Sequence, residues 1–259
     1  MYIFSKLINL WFILIIIIFC PNVKAFSVFQ PNQLPFIEYL PINEDVIKKE
    51  NINTALNLQE SRFYILHSYK KMKIKNKIEC DEIIIENYID NINYLIIELK
   101  KYDPSFFKNI NFNYLVLCQN LKINNNLTAG VPSNNVATLI FDISLSKEVL
   151  ARALHHEIFH MIKQDKNYEE FNNKYNKIND KEFEYNGCPL CSESIDITFK
   201  NNIDGFVTEY SKNTIEEDQA EVFAGIMSIK NFDIFYLNNN KVLLKKKLIF
   251  DLFNNINKE

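Results

Sequence analysis

Hydrophobic and polar residues alternate with two different periods along the chain. From about residue 43 to 102, apolar positions return every three or four residues, which predicts a mainly helical N-terminal part over residues 26–110. Its clearest segment is DEIIIENYIDNINYLIIELKKY, residues 81–102, which has Asp81 near its start and lysines at its end, as the helix dipole favours. Pro104 is predicted to stop this helix.

Short apolar runs replace the helical period after residue 110. The segments NYLVLC (residues 113–118) and NNVATLIFDI (residues 134–143) are rich in β-branched and aromatic residues, which is typical of strands. The sequence NNNLTAGVPSNN between them is rich in turn-forming residues.

Helical periodicity then returns in the second half of the chain. SKEVLARALHHEIFHMIK, residues 146–163, has an apolar side, and Ser146 is placed to cap its first turn. A polar connection follows over residues 164–209, a second helix is predicted near residues 214–229, and the tail VLLKKKLIFDLF predicts a last helix. Together with the strands, this order predicts an α+β fold.

The first residues have the layout of a secretory signal peptide. A lysine precedes an apolar run that Pro21 ends, and Val23 and Ala25 supply small side chains before Phe26. The apolar run is shorter than the roughly 20 residues that a membrane-spanning helix needs. Residues 1–25 are therefore predicted to be a signal peptide of a secreted or extracytoplasmic protein. An uncleaved membrane anchor is the alternative, and it would be the protein's contact with a membrane.

Composition excludes one class of function. Hydrophobic residues make up 47% of the 259 residues, enough to bury a core. The net charge of −3 comes from 29 basic and 32 acidic residues that are spread along the chain. Without a basic patch there is no electrostatic footprint for nucleic acid.

Four cysteines remain when residues 1–25 are set aside: Cys80, Cys118, Cys188 and Cys191. An even number in an exported chain is compatible with two disulfides, in any of three pairings. Free thiols are the other interpretation. The Cys188–Cys191 spacing alone does not predict a zinc ribbon, because a second close pair is missing.

Three of the four histidines in the chain lie within the six residues HHEIFH. On a helix, His156 and His160 lie one turn apart on the same face, and Glu157 lies beside them. Two imidazoles at this spacing can hold one zinc ion, and the adjacent carboxylate can reach a water molecule bound to it. The alternative is a solvated helical face. His155 points away from His156, and we interpret it as a packing or surface residue.

A catalytic zinc site usually has three protein ligands, so a third is needed. No histidine follows His160, and the His-x-x-Gly-x-x-His continuation of the metzincins is absent. The acidic candidates lie in EEDQAEVFA, where Glu217 and Glu221 share a helical face. We predict Glu217 as the ligand, and Glu221 as an outer residue that accepts a hydrogen bond from a ligand imidazole. Small alanines on the same face would allow close approach to the histidine helix.

Other interpretations of the acidic helix stay open. Thr214 and Glu217 have the spacing of a capping box, and acids in a first turn need no metal to explain them. Asn213 with Glu216 could supply the same cap, which would leave Glu217 free for a metal ion. Asp218 is a further candidate for the third ligand.

HHEIFHMI followed by GFVTEYSKNTIEEDQAEVFA resembles the gluzincin metallopeptidases, and within them the anthrax lethal-factor type and related exported zinc peptidases. In that type, a Glu-x-x-Ala-Glu helix supplies a zinc ligand and an outer glutamate, which match Glu217 and Glu221. A tyrosine seven residues before the third ligand is aimed at the tetrahedral intermediate, and Tyr210 stands there. The resemblance covers roughly residues 134–229. It implies a zincin-like domain, here residues 111–259, with a small mixed sheet and an active-site helix. It also implies Zn²⁺ as the cofactor.

Two classes of function follow from these residues. The first is an exported zinc-dependent endopeptidase that acts on a protein or peptide substrate, with Glu157 as general base. In zincins, an edge strand beside the active-site helix pairs with extended substrate, and we assign this role to NVATLIFDI. The second is a secreted toxin-like or binding module with a structural or inactive zinc site.

Overall fold

The computed structural model describes residues 39–41, 63–68, 71–74, 77–162, 168–187 and 196–256. The predicted signal peptide, residues 1–25, lies outside these residues, as do Cys188 and Cys191. Within the described ranges, no helix combines the length and the apolar character needed to cross a bilayer.

The centre of the molecule is a mixed sheet built around one long strand. The strands are β1 (Tyr39–Pro41), β2 (Tyr64–Ser68), β3 (Met72–Ile74), β4 (Ile78–Asp81), β5 (Tyr114–Ile123), β6 (Asn126–Leu127), β7 (Gly130–Ser133) and β8 (Thr138–Asp142). The first half of β5 lies between β2 and β8 and is parallel to both. Its second half pairs antiparallel with β4 and β6. Strand β7 pairs antiparallel with β8 and forms an edge of the described sheet.

Two helices lie between β4 and β5 in the chain, and the other described helices follow β8. The helices are α1 (Ile89–Leu99), α2 (Pro104–Asn109), α3 (Lys147–Met161), α4 (Tyr168–Asn176), α5 (Ile215–Ser228), α6 (Phe232–Phe235) and α7 (Asn240–Ile256). Short 3₁₀ turns occur at Ile85–Tyr88, Asn134–Val136 and Tyr210–Lys212. The α+β fold class predicted from the sequence is confirmed.

Helix α3 is held against the sheet by a continuous apolar core. Its Leu150, Leu154 and Ile158 belong to the same buried cluster as Leu139 and Phe141 of β8. Each of these large side chains stabilises the fold by about 1.5–3 kcal/mol on burial. The helix is therefore fixed along its length, and so are the polar groups on its other face.

The helical interpretation of residues 43–102 is wrong for residues 64–68, 72–74 and 78–81. These residues form β2, β3 and β4, and β2 and β4 pair with β5 from the other side of residue 110. A strand in the middle of a sheet reads as a continuous apolar run, which periodicity cannot distinguish from a piece of buried helix. The sheet thus includes residues from both predicted parts of the chain.

Element boundaries also differ from the predictions near α1 and α2. The helix predicted from residue 81 begins with a 3₁₀ turn at Ile85, because residues 78–81 belong to β4. It ends at Leu99, before Pro104. Pro104 itself opens α2, where Asp103 accepts a hydrogen bond from the backbone N–H of Ser105 at 2.8 Å. Proline fits this first helical position because its missing N–H would have no partner there.

The last helix docks through a buried ion pair. Lys245 of α7 donates from Nζ to Asp218 of α5 at 2.6 Å and to the carbonyl of Gly205 at 2.7 Å. Both charged side chains are fully buried. Burial raises the pKa of Asp218 and lowers the pKa of Lys245, because it disfavours both charges. This pair connects the C-terminal helix directly to the helix of the acidic motif.

Cys80 and Cys118 form a disulfide between β4 and β5, with their Cα atoms 5.9 Å apart. The sequence left the pairing of the cysteines open. The structure brings these two together because β4 and β5 are neighbours in the sheet.

Candidate metal centre

Helix α3 presents the two histidines of the motif on one face, one turn apart. The Nε2 atoms of His156 and His160 lie 3.0 Å from each other. Ser146 occupies the N-cap position as predicted, but its side chain does not cap the helix. Instead, its carbonyl oxygen accepts the first intrahelical bond from the N–H of Leu150 at 2.7 Å.

Helix α5 brings a carboxylate to the same point. Oε2 of Glu217 lies 3.0 Å from Nε2 of His156 and 3.6 Å from Nε2 of His160. The hydroxyl of Thr214 accepts a hydrogen bond from the backbone N–H of Glu217 at 3.2 Å. The capping and metal-ligand interpretations are therefore compatible, since one uses the backbone of Glu217 and the other its side chain. Ala220 is fully buried and lets the two helices approach closely.

The three side chains fit a zinc ion. Their candidate ligand atoms lie within 4.8 Å of one another, and no other group of three such residues was found in the described part of the chain. Tetrahedral ligands at about 2.0–2.1 Å from zinc are about 3.3 Å apart, close to the distances between these atoms. Oε2 of Glu217 is buried against the Nε2 atoms of His156 and His160 and has no other hydrogen-bond partner among the described residues. A buried carboxylate oxygen in that state calls for a cation.

The charges around the histidines favour a cation in the same way. Burial lowers the pKa of His156, but the carboxylates of Glu217 and Glu221 outweigh it and raise the pKa to about 10. Burial raises the pKa of Glu217, but the neighbouring imidazoles of His160 and His156 outweigh it and hold that pKa well below its usual range. The two carboxylates therefore make the surroundings of the histidines electrostatically favourable for a cation.

Glu221 lies behind His156, where the outer residue was predicted. Its Oε1 lies 2.8 Å from Nδ1 of His156. Its Oε2 accepts a hydrogen bond from the hydroxyl of Thr208 at 3.0 Å and forms an ion pair with Arg152. An Nδ1–H that donates to this carboxylate leaves Nε2 free as a ligand.

Sequence reasoning missed Arg152 and Thr208. Arg152 stands four residues before His156, so helical spacing could have placed it on the ligand face. Thr208 lies in the connection before α5, and nothing in the sequence relates it to Glu221. Both residues hold the carboxylate that orients His156.

Glu157 is a buried carboxylate beside the candidate ligands. Only 9% of its surface is exposed. Burial raises its pKa, and the positive charges of His156 and His160 oppose that shift. A raised pKa brings a carboxylate closer to the range in which it exchanges protons near neutral pH.

Tyr210 lies at the 3₁₀ turn that precedes α5. Its ring centre is 6.1 Å from that of His156. Burial raises the pKa of its hydroxyl, and the negative charges of Glu217 and Glu157 raise it further. Tyr210 therefore keeps its proton and is available as a hydrogen-bond donor beside the three candidate ligands.

His155 faces the other side of helix α3. It is fully buried, with Nδ1 2.7 Å from the hydroxyl of Tyr102 and Nε2 2.7 Å from Oε2 of Glu98. It packs α3 against α1, in agreement with the packing role interpreted from the sequence. It does not reach the metal ligands.

The edge strand beside helix α3 is β7, so the prediction that NVATLIFDI forms this edge strand is wrong. Strand β8, from that segment, lies inside the sheet between β5 and β7. Strand β7 comes from the segment interpreted as a turn. It contains Gly130 and Pro132, which weaken the sequence signal of a strand and are tolerated at a sheet edge.

A family model described as "Putative zinc-binding metallo-peptidase" matches residues 125–240. This part of the chain is similar to a zinc metallopeptidase family. The match runs from β6 to the start of α7 and includes both helices of the site. No curated protein and no solved structure matches the chain.

This match confirms two predictions from the sequence, namely the resemblance of the motif to zinc metallopeptidases and Zn²⁺ as the cofactor. A peptidase acts on protein or peptide substrates. The gluzincin type and the roles of the individual residues stay predictions.

Proposed function

We propose that the protein is an exported zinc-dependent endopeptidase of the gluzincin type. His156, His160 and Glu217 would hold the metal, and Glu157 would act as general base. The observation that carries this proposal is the convergence of three ligand atoms within 4.8 Å, with the intact carboxylate of Glu157 next to them. A structural zinc site usually has four protein ligands and needs no general base, which disfavours the binding-module alternative.

In the proposed mechanism, several side chains of this chain have separate roles. When bound, a zinc ion supplies Lewis acidity, which activates water at neutral pH and polarises a carbonyl group. Glu157 accepts a proton from the attacking water at a carboxylate oxygen and delivers it to the nitrogen of the leaving amine. Tyr210 donates a hydrogen bond to the carbonyl oxygen as it gains negative charge. Glu221, held by Arg152 and Thr208, keeps His156 in its ligating orientation.

Export is proposed from residues 1–25 and is supported by the Cys80–Cys118 disulfide. Disulfides persist in oxidising compartments and are rare in the cytosol. The predicted signal peptide would deliver the chain to such a compartment.

The first test is zinc content together with hydrolysis. We expect about one zinc ion per purified chain, and we expect it to be lost in His160→Ala, because two protein ligands hold zinc poorly. The wild type should cut an unfolded protein substrate, stop after chelation, and recover when zinc is added. Zinc without hydrolysis of any substrate in a peptide library would favour the binding module. Absence of zinc from a zinc-supplemented preparation would contradict the site itself.

Tyr210→Phe should lower kcat by roughly 10²–10³-fold, because it removes one donor to the developing oxyanion. KM and zinc content should change little, since the hydroxyl is assigned a role in the transition state alone. Steady-state kinetics with a fluorogenic peptide measures both constants.

The matched control is Tyr236→Phe. The hydroxyl of Tyr236 is buried and has no hydrogen-bond partner among the described residues, so its removal should leave kcat near the wild-type value. Equal kcat values for Tyr210→Phe and the wild type would refute the role of Tyr210.

A further inference from the structure

Gly130 occupies an unusually close position against the proposed general base. It is the first residue of edge strand β7 and is buried beside helix α3. A Cβ atom at this residue would lie 2.6 Å from Cγ of Glu157 and 2.9 Å from its Cδ. Carbon atoms do not approach that closely without a shift, so any side chain here would displace the carboxylate of Glu157.

Space, and not backbone conformation, is what requires glycine at this residue. The glycines with positive φ in the described chain are Gly187 and Gly205, so the backbone of Gly130 is open to other residues. The neighbour that matters most is Glu157. A second neighbour, Cδ1 of Leu139, would be 3.2 Å from the added Cβ and would need a much smaller adjustment.

The side chain of Glu157 therefore packs directly against the backbone of β7 at Gly130. The contact involves Cδ, which carries the two carboxylate oxygens, so a displacement would move the reacting end of the side chain. A general base must lie within hydrogen-bond reach of the proton that it abstracts. A misplacement of about 1 Å can lower the rate by on the order of 100-fold.

We propose that Gly130 is a positioning residue that seats the carboxylate of Glu157 against strand β7. This inference rests on the proposed function, in which Glu157 is the general base. The edge strand then positions the carboxylate of Glu157 through a residue that has no side chain.

Gly130→Ala tests the proposal through activity and through stability. We expect kcat to fall by on the order of 100-fold, with KM and zinc content close to the wild type. We also expect a lower melting temperature, because an added methyl group overpacks the site. In the Glu157→Ala background the Cγ and Cδ atoms are gone and only the contact with Leu139 remains, so the same substitution should lower the melting temperature much less.

Gly225→Ala is the matched control for the melting experiment. Its Cβ would meet Phe232 at 3.0 Å and does not face Glu157. Its effect on the melting temperature should be the same in the wild-type and Glu157→Ala backgrounds. Dependence on Glu157 is thus expected for Gly130 alone.

The outcomes separate this proposal from the proposed function. The comparison of melting temperatures requires no enzymatic activity. It therefore tests the contact between Gly130 and Glu157 even if the wild type does not hydrolyse peptides. An equal melting loss in both backgrounds would assign the contact to Leu139 and overturn the proposal, as would full activity of Gly130→Ala. A folding test replaces these measurements if Gly130→Ala does not fold. Folding of the Gly130→Ala, Glu157→Ala double variant then supports the positioning role of Gly130, and failure of the double variant to fold overturns it.

Discussion

Glu157→Gln should lower kcat by about 10²–10⁴-fold while the protein keeps its zinc. The amide is nearly the same size as the carboxylate and fits against Gly130, but it cannot accept the proton of the attacking water. The metal ligands are untouched, because Glu157 is assigned no part in holding the metal. Zinc content and kcat, measured on the same preparation, test both halves of this expectation.

Glu148→Gln is a suitable control for that experiment. Glu148 lies on the same helix, in its exposed first turn, and the substitution makes the same chemical change away from the site. It should leave kcat unchanged. Full activity of Glu157→Gln would exclude the general-base role, and loss of zinc from that variant would place Glu157 among the ligands.

Lys245→Met should lower the free energy of unfolding by about 3–5 kcal/mol, because it leaves Asp218 buried without its cation. Methionine keeps the apolar part of the side chain, so little packing is lost. Adding Asp218→Asn should recover part of the loss, since the remaining polar group is then uncharged. Chemical denaturation of the single and double variants measures both effects.

Lys246→Met provides the comparison on the same helix. Its pair with Asp233 is largely exposed, with 64% of the Asp233 side chain accessible, so its loss should cost less than about 1 kcal/mol. A similarly small cost for Lys245→Met would show that the buried pair contributes little to stability. A double variant as unstable as the single one would show that the charge left on Asp218 is not the cause.

Local signals were sufficient to predict the helices of the site. The apolar side of α3, the four-residue spacing of His156 and His160, and the acidic first turn of α5 are all readable from short stretches of sequence. Helical geometry then places the two imidazoles together without further information. The position of Glu217 opposite them could be proposed from residue type alone, because no histidine follows His160.

Long-range pairing could not be predicted in the same way. Strand β2 is five residues long and forms only by pairing with β1 and with β5, which lies far along the chain. The contacts of Arg152 and Thr208 with Glu221 likewise depend on how separate elements meet. The approach of Gly130 to Glu157 is of the same kind, since a glycine in a turn-rich segment gives no sign of what it faces.

The division of the site between elements has an evolutionary consequence. The three predicted ligands belong to two helices that pack on each other, whereas Gly130 and Tyr210 belong to a strand and a turn. Apart from Glu157, which lies on α3 with His156 and His160, the residues proposed for turnover would then be inherited separately from those proposed to retain the metal. A lineage could lose peptide-bond hydrolysis by one substitution at Gly130 or Tyr210 and still bind zinc. An active enzyme and an inert zinc-binding descendant would thus be close neighbours in sequence.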